Sequence, residues 1–411
     1  MNFEFFIAKR IISSKAYKSS VSAPIIKIGI VAIAIGIIVM LIAIATGIGL
    51  QQKIRDKVSA FNGHIIISNL DSNNSQESIK PVSIKQEFYP TFKNISGIKK
   101  VQVVATKFGV IRTETDFEAI IVKGVSGDYN WDYFKDFLIE GRLPDYSKNI
   151  IPDVLVSQEL AKRMQFKLGD KFSTYFKKQD PNKPPIVRRF KIVGIYNSGL
   201  KEFDETYVIG DIRHIQRLNK WNEDQVGQFE VLLDDYNQLE EKYIAVFQNT
   251  PSLLNAVTVE QKHASIFEWI RIFDKNTYGI IGIMILVAGI NMITALLVLI
   301  LERTKMIGIF KALGSTNWSI RKMFLYNASY IILIGLFWGN LIGVTLLFAQ
   351  KYLKLFPLDP AVYHVSEVPI YINLWYILAL NVGTFFLCLL MLLIPSYLIT
   401  KISPVKAIRF E

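Results

Sequence analysis

Cysteine and histidine, which commonly bind metal ions, are scarce in this 411-residue sequence, which has one cysteine and four histidines. Its single cysteine, Cys388, excludes an intrachain disulfide, so any domain must be held together by its own hydrophobic core. No phosphate-binding loop of the G-x-x-x-x-G-K-[ST] type is present, because GIFKALGS (308–315) has five residues between its glycines and no lysine after the second. The histidines lack metal-ligand spacing: His64, His214, His263 and His364. The sequence therefore predicts no metal and no cofactor on this chain, and the energy for its work must come from elsewhere.

Four long runs are apolar and almost free of charged residues. These are residues 25–50, 277–301, 326–350 and 371–400. A bilayer core is crossed by about 20 helical residues, so each run is predicted to be a membrane helix. Lys27 is the only charged residue among them, and it lies near one end, from which its long side chain can reach the headgroups. The first run exceeds the roughly 7 to 15 apolar residues of a cleaved signal peptide, and we interpret it as an uncleaved anchor.

The positive charges are unevenly distributed. Residues 1–24, 302–325 and 401–411 together carry twelve Lys and Arg against three acidic residues. Residues 51–276 hold 32 basic and 30 acidic residues, and the loop 351–370 is balanced. Short cytoplasmic segments of membrane proteins retain an excess of Lys and Arg, which predicts cytoplasmic termini and places 51–276 and 351–370 outside. The net charge of +12 is therefore a topology signal, and nucleic acid is not an expected partner.

The long external segment has mixed periodicity. Ser157 is predicted to cap a helix over 157–170 that ends at Gly169, and 211–220 and 236–249 also have helical spacing. Short β-branched runs bounded by turn residues predict strands at 64–68, 101–106, 117–125, 153–157, 189–196, 205–210 and 229–233. We expect an α/β domain of one large lobe or two small ones, inserted between the first and second membrane helices.

Amphipathic stretches join this domain to the membrane. Residues 51–60 and 261–275 continue the adjoining runs without a proline or glycine break. Because residues 25–50 alone form a helix of about 39 Å, longer than the hydrocarbon layer of about 30 Å, we predict that two helical stalks bound a domain spanning 51–275. The alternative is two ordinary helix ends that fray.

Small and polar residues within the membrane runs indicate helix packing. Gly335, Gly339 and Gly343 leave one face of the third span bare for a close neighbour. Asn291 and Asn340 are expected to form hydrogen bonds between helices, because an unpaired amide is costly in lipid. Four spans make a thin bundle, so we expect a second copy or a paralogue, with a cavity between the subunits.

The segment ERTKMIGIFKALGSTNWSIRKMF (302–324) lies between the second and third runs. Helical spacing over 303–313 predicts one apolar face, Met306, Ile307, Ile309, Phe310 and Leu313, and an opposite basic face, Arg303, Lys305 and Lys311. Gly314 suits the left-handed residue that ends a helix, and 315–317 offers N-caps for the next one. A helix lying on the inner leaflet would have the same composition.

This segment, extended through LYNASYI, resembles the signature of the FtsX/MacB superfamily of ABC-transporter permeases. The tail KISPVKAIRFE resembles the closing motif of that family, with Pro404, Ala407, Ile408 and Arg409 at its positions. The resemblance implies a MacB-like architecture and a cytoplasmic helix that couples to a separate ATPase, which would supply ATP and Mg²⁺ chemistry, so that this chain is not itself an enzyme. The coupling residues it implies are Glu302, Arg303, Lys305, Gly308, Lys311, Ala312 and Gly314.

Within the superfamily, three stretches are similar to lipoprotein-releasing permeases of the LolC/LolE type: FFIAKR (5–10), YNSGLKEFDETYV (196–208) and AVYHVSEVPIYIN (361–373). The resemblance implies a bacterial inner-membrane protein whose partners are a LolD-like ATPase, a second permease, membrane lipids, a lipoprotein substrate and a LolA-like periplasmic carrier. The alternatives are an FtsX-like regulator of a periplasmic enzyme and a MacB-like exporter of peptides or small molecules.

The stretch KKQDPNKPPIVRRFKIVG (177–194) resembles the LolC-type hook that receives the carrier. Prolines stiffen this loop, and basic residues follow them. The docking residues that the resemblance implies are Pro181, Pro184, Pro185, Arg188 and Arg189. The alternative is an ordinary exposed hairpin loop with solvated charges.

Overall fold

A computed structural model describes residues 3–13, 22–72, 75–113, 116–132, 134–178, 182–358, 363, 365 and 367–403. The chain forms two compact units. One consists of Met1–Leu50, Ile270–Pro357 and Val368–Glu411, and the other of Gln51–Trp269 and Leu358–Glu367. The helices are α1 (Phe3–Ser13), α2 (Ser22–Asn62), α3 (Gln158–Arg163), α4 (Lys201–Asp204), α5 (Ile212–Asn219), α6 (Leu239–Gln248), α7 (Val259–Lys262), α8 (Ala264–Glu302), α9 (Thr304–Ala312), α10 (Asn317–Leu353), α11 (Leu374–Ser396) and α12 (Leu398–Lys401).

Four of the described helices are long and apolar enough to cross a membrane. They cover Pro24–Asn62, Ala264–Glu302, Asn317–Leu353 and Leu374–Lys401, and each contains one of the apolar runs. Their inward faces form one hydrophobic cluster that includes Ile37, Met292, Ile332 and Leu392. Many of their other large apolar side chains, among them Phe337 and Leu390, are exposed. Such a surface suits lipid or further helices, because apolar patches of this extent are rare on soluble proteins.

The first and second long helices continue beyond their apolar runs, as predicted. Helix α2 is unbroken for 41 residues and ends at Asn62. Helix α8 begins at Ala264 rather than at residue 261, because the preceding residues form the separate turn α7 with its own capping box between Thr258 and Gln261. His263, at φ −114° and ψ 46°, separates the two helices.

The second unit is built on one ten-stranded sheet. The strands are β1 (Ile65–Asn69), β2 (Val82–Ser83), β3 (Ile98–Arg112), β4 (Phe117–Val125), β5 (Leu138–Gly141), β6 (Asp153–Ser157), β7 (Lys171–Phe176), β8 (Ile186–Tyr196), β9 (Tyr207–Asp211), β10 (Gln225–Val226), β11 (Gln228–Leu233) and β12 (Leu254–Thr258). The order is β12-β1-β11-β3-β4-β9-β6-β8-β5, with β7 paired to both β3 and β8 and the short strands β2 and β10 paired separately. Pairs β4/β9 and β6/β8 are parallel and the others antiparallel.

Because β7 joins β3 to β8, six strands form a closed ring, β3-β4-β9-β6-β8-β7. A single core runs through the sheet, with Ile111, Phe176 and Phe190 in the ring and Ile65 and Phe229 beyond it. The structure therefore selects one lobe from the two possibilities that the sequence left open.

All seven predicted strands are present, and the helices predicted at 211–220 and 236–249 appear as α5 and α6. The prediction over 157–170 is half right: Ser157 caps α3 by accepting a hydrogen bond from the Leu160 amide, but the helix ends at Arg163. Gln165, at φ 54°, turns the chain, and Gly169, at φ 92°, belongs to the turn before β7. The predicted runs do not include β2, β5, β7, β10 and β12, whose segments are short or lack a clear β-branched run.

Candidate functional site: the short helix between two long helices

Helix α9 ends as its sequence predicts. Gly314 has φ 87°, the amide of Ser315 donates to the carbonyl of Phe310 at 2.9 Å, and that of Gly314 donates to Lys311 at 3.1 Å. This pattern is the Schellman motif, in which a left-handed residue closes the last turn and satisfies its carbonyls. Two residues later, the Thr316 hydroxyl accepts from the Ser319 amide and caps α10. The chain thus passes from one helix to the next through four residues, and both helix ends are satisfied locally.

The apolar residues of α9 are divided between two faces, which corrects the single apolar face predicted from spacing. Ile307 is fully buried and packs in the same cluster as Ile320, Ile399 and the partly buried Phe310. By contrast Ile309 is 52% exposed and Leu313 is 77% exposed. The packed side is set by contact with the start of α10 and with α12, which the periodicity of α9 alone does not contain.

The predicted basic face is divided as well. The Lys311 ammonium points inward and donates to three carbonyls at the end of α12: Ile399 at 2.7 Å, Thr400 at 3.2 Å and Ile402 at 2.7 Å. A cation there satisfies unpaired carbonyls and complements the helix dipole. Burial lowers the pKa of Lys311. Lys311 therefore ties α9 to α12 and does not lie on an exposed rim.

Arg303 is half-buried, and within the described residues its Nε and one terminal nitrogen have no hydrogen-bond partner. Glu302 and Lys305 are exposed, as are Ala312 and Gly314, whereas Gly308 is buried. The exposed side of this segment consists of Lys305, Ile309, Ala312, Leu313 and Gly314, with Trp318 at the start of α10.

The contacts of Arg321 and Lys322 near the start of α10 are not among the predictions from the sequence. Arg321 donates from Nε to the Ser396 hydroxyl at 3.1 Å and from a terminal nitrogen to the Leu393 carbonyl at 3.2 Å, linking α10 to α11. Its guanidinium also lies 5.3 Å from the ring centre of Trp318, and the ammonium of Lys322 lies 5.8 Å from it. Trp318 precedes Arg321 by three residues and Lys322 by four, a spacing that places all three on one helix face. That spacing is the feature of the sequence from which their contact can be predicted.

The N-terminal helix α1 packs against the same helix. The Ser319 hydroxyl donates to Glu4 at 2.6 Å, and the rings of Phe5 and Tyr326 meet edge to face at 5.9 Å. That hydrogen bond is the main cause of a lowered pKa at Glu4. The start of α10 is therefore held by α1 on one side and by α11 on another.

The glycine row of α10 faces α2. A Cβ at Gly335 would lie 2.8 Å from Ile33 Cβ, and one at Gly339 would lie 2.8 Å from Ile37 Cβ and 2.9 Å from the Ala34 carbonyl oxygen. At Gly343 the nearest atom, 3.0 Å away, is the movable end of Leu41. The two helix backbones are thus in contact along this row, as close-packed small residues permit.

Asn340 makes the interhelical hydrogen bond predicted for it. Its Nδ2 donates to the Asn381 oxygen at 2.6 Å, and Asn381 Nδ2 donates back at 2.9 Å, which joins α10 to α11. Asn291 lies half-buried in α8.

The proline-rich loop connects β7 to β8. Pro184 and Pro185 are exposed, and Pro181 lies outside the described residues. The two arginines lie in β8 rather than in the loop, with Arg188 opposite Thr174 and Arg189 opposite Ser173. Neighbouring strand residues point to opposite faces, so Arg189 shares the exposed face of Val187, and Arg188 lies half-buried on the other.

The tail residues Pro404, Ala407, Ile408 and Arg409 lie outside the described residues, as does part of 361–373. In the part of the chain that is described, no three His, Cys, Asp or Glu side chains are grouped as metal ligands.

Comparison with known families gives two matches. Residues 278–404 match the FtsX-like permease C-terminal family, and residues 28–242, more than half of the chain, match the MacB-like periplasmic core domain family. Both segments lie where the sequence resemblance placed them.

Curated relatives match over most of the chain. The lipoprotein-releasing system transmembrane protein LolC of Buchnera aphidicola subsp. Schizaphis graminum is 24% identical over 94% of each chain. LolC of Neisseria meningitidis serogroup B is 20% identical over 100% of each, and LolE of Haemophilus influenzae is 22% identical over 84% of this chain and 82% of its own. The solved periplasmic region of MacB from Actinobacillus actinomycetemcomitans aligns at 15% identity over 50% of this chain and 92% of its own, with a TM-score of 0.33.

Proposed function

Because the chain belongs to the ABC-transporter permeases with a MacB-like periplasmic core domain and an FtsX-like C-terminal domain, we propose that it drives release of lipoproteins from the inner membrane to a soluble carrier. ATP would be hydrolysed by a partner subunit. Relatives named LolC and LolE support lipoproteins as the substrate class. In this proposal the termini and α9 lie in the cytoplasm, the sheet domain lies in the periplasm, and two permease subunits enclose the substrate.

The observation that carries the proposal is the geometry of α9. This nine-residue helix exposes Ile309 and Leu313 on one side, while Lys311 on the other side ties it to the end of α12. An ATPase bound to the exposed apolar side would therefore displace α12 and α10 together with α9. A helix that only lay on the leaflet would not need an inward-pointing lysine to join it to a neighbouring helix.

In this proposal, the long helices α8 and α2 transmit movement of α9 to the sheet domain. Helix α8 precedes α9 directly, with only Arg303 between them, and extends back to Ala264 without interruption. Helix α2 packs along the glycine row of α10 and continues to Asn62. We propose that ATP binding moves these helices as rods, and that their movement closes the cavity between the two permease subunits.

The energy requirement explains the need for ATP. Each acyl CH₂ moved from lipid to water costs about 0.8 kcal/mol. The acyl chains of a lipoprotein would therefore keep it in the membrane unless ATP hydrolysis supplies energy and an acceptor shields the chains from water. For the acceptor we propose docking at the β7/β8 loop, with Pro184, Pro185 and Arg189 as contacts and Arg188 as the less exposed neighbour. Pro181 is kept in this proposal from the sequence resemblance alone.

The proposal is tested by reconstitution. The chain is purified with its ATPase in nanodiscs that contain an acylated lipoprotein, and lipoprotein released to a purified soluble carrier is measured with ATP and with a non-hydrolysable analogue. We expect ATP-dependent release to the carrier. The matched control is the same lipoprotein without its acyl chains, whose appearance with the carrier should not depend on ATP. A preparation that hydrolyses ATP but releases no lipoprotein, and that co-purifies with a cell-wall hydrolase, would refute release in favour of regulation.

A further inference from the structure

The end of α2 is held inside the sheet domain by a buried ion pair. Lys123 of β4 lies 2.6 Å from Glu230 of β11, and their side chains are 3% and 0% exposed. The Lys123 ammonium also donates to the carbonyl of Phe61, in the last turn of α2. Glu230 accepts a second hydrogen bond from Gln102 Nε2 at 3.0 Å. Both charges are thus paired and hydrogen-bonded, as burial requires.

A second donor reaches the same helix end. The hydroxyl of Tyr129 donates to the Ala60 carbonyl at 3.2 Å. The last four carbonyls of a helix have no partner within it, and the last turn of α2 contains no basic side chain of its own to satisfy them. Lys123 and Tyr129, both distant in sequence, therefore act as the C-cap of α2.

Packing reinforces this cap. The ring of Phe61 lies 4.8 Å from Phe203 and 4.9 Å from Phe134, centre to centre, and all three are buried. Gly63, at φ 68°, takes the chain out of the helix, and a Cβ there would lie 2.9 Å from Glu230 Cβ. The helix end is thus pressed directly against β11.

The segment before α8 is attached to the same strand. Lys262, the last residue of α7, donates to Gln228 Oε1 at 3.2 Å. Gln228 and Glu230 are two residues apart in β11 and so point to the same face. Contacts from both helix-bearing segments therefore meet on β11, the third strand in the sheet order.

We infer that the Lys123–Glu230 pair is a rigid joint that transmits displacement of α2 to the centre of the sheet, with Lys123 as its positioning residue. The inference rests on the proposed function, because transmission matters only if α2 moves with ATP. A buried ion pair is commonly no more stabilising than apolar residues of equal size, so stability alone does not account for it. A charge-assisted cap does fix the direction and register of the helix end.

The test uses the double variant Lys123→Met/Glu230→Met in the full-length chain, since removing both charges leaves no unpaired ion. Amide hydrogen exchange at Phe61, Asn62 and Gly63 is measured first, without the ATPase. Loss of hydrogen bonds to a charged donor should accelerate exchange there by about 10- to 100-fold. The matched control is Lys107→Met, which removes a less buried ion pair of the same sheet, 2.9 Å to Glu77, and should leave these amides unchanged.

The second measurement is lipoprotein released per ATP hydrolysed in the reconstituted complex. We expect this ratio to fall severalfold in the double variant with the hydrolysis rate retained, and to be unaffected in the control. Faster exchange with an unchanged ratio would overturn the joint, as would unchanged exchange. If the double variant does not fold, Tyr129→Phe removes only the hydroxyl, and a smaller change in the same two readouts is expected. A wild-type complex that shows no ATP-dependent release would refute the proposed function, while the exchange measurement would still decide whether Lys123 caps α2.

Discussion

Replacing Gly339 with alanine tests the contact between α10 and α2 most directly. The added Cβ would lie 2.8 Å from Ile37 Cβ, 2.9 Å from the Ala34 carbonyl oxygen and 3.1 Å from Ala34 Cα. These are backbone atoms or the branched base of a side chain, so no rotamer change relieves the overlap. The helices must separate by several tenths of an ångström along their length.

The control is Gly282→Ala in α8, where an added Cβ meets nothing within 4 Å. Alanine is the better helix former by about 1 kcal/mol at both sites, and this term cancels in the comparison. Overpacking costs about 1 to 3 kcal/mol, so Gly339→Ala should be less stable than Gly282→Ala by that amount. Gly343→Ala should fall between them, because the end of Leu41 can move away.

The assay is the free energy of unfolding of the solubilised chain alone, from denaturant titration in a fixed detergent. Measurement on the isolated chain keeps contacts with a second subunit out of the comparison. Equal stability of Gly339→Ala and Gly282→Ala would show that α10 does not pack on α2 through this row. It would also remove the support that this contact gives to the proposed route through α2.

Three further predictions follow from individual side chains. Lys311→Met should lower the free energy of unfolding by about 2 kcal/mol, since it removes a charged donor from three carbonyls. The control, Lys305→Met at an exposed position, should leave stability unchanged and weaken ATPase binding in a pull-down. Equal stability of the two variants would contradict the contact between Lys311 and α12. Arg189→Glu should weaken carrier binding by about tenfold and Arg188→Glu by less, as measured by surface plasmon resonance, and the reverse order would refute the face assigned to Arg189. His64 should make the fold acid-sensitive: burial lowers its pKa from 6.5 to about 4, so the unfolded chain binds its proton first as pH falls, and about 2 kcal/mol should be lost between pH 7 and pH 5 in denaturant titrations of the wild type but not of His64→Gln.

The sequence alone predicts the structure correctly where the residues that stabilise an element lie close together along the chain. The four apolar runs, the Gly314 turn and the Ser157 cap each depend on residues within a few positions of one another. The same holds for strands with β-branched runs such as β4 and β6. The family resemblance also rests on contiguous motifs, and the matches over 28–242 and 278–404 agree with it.

Contacts between residues far apart along the chain determine the positions of the remaining side chains, such as Lys311 and Lys123. Periodicity placed Lys311 on an open basic face, but the carbonyls that draw it inward belong to α12, 88 to 91 residues away along the chain. Likewise Lys123 reads as an interruption in an apolar strand, and only pairing across the sheet brings it to Glu230 and to the end of α2. A sequence determines which groups need partners, because burial and helix ends leave charges and carbonyls to be satisfied, whereas the tertiary structure determines which partners meet them.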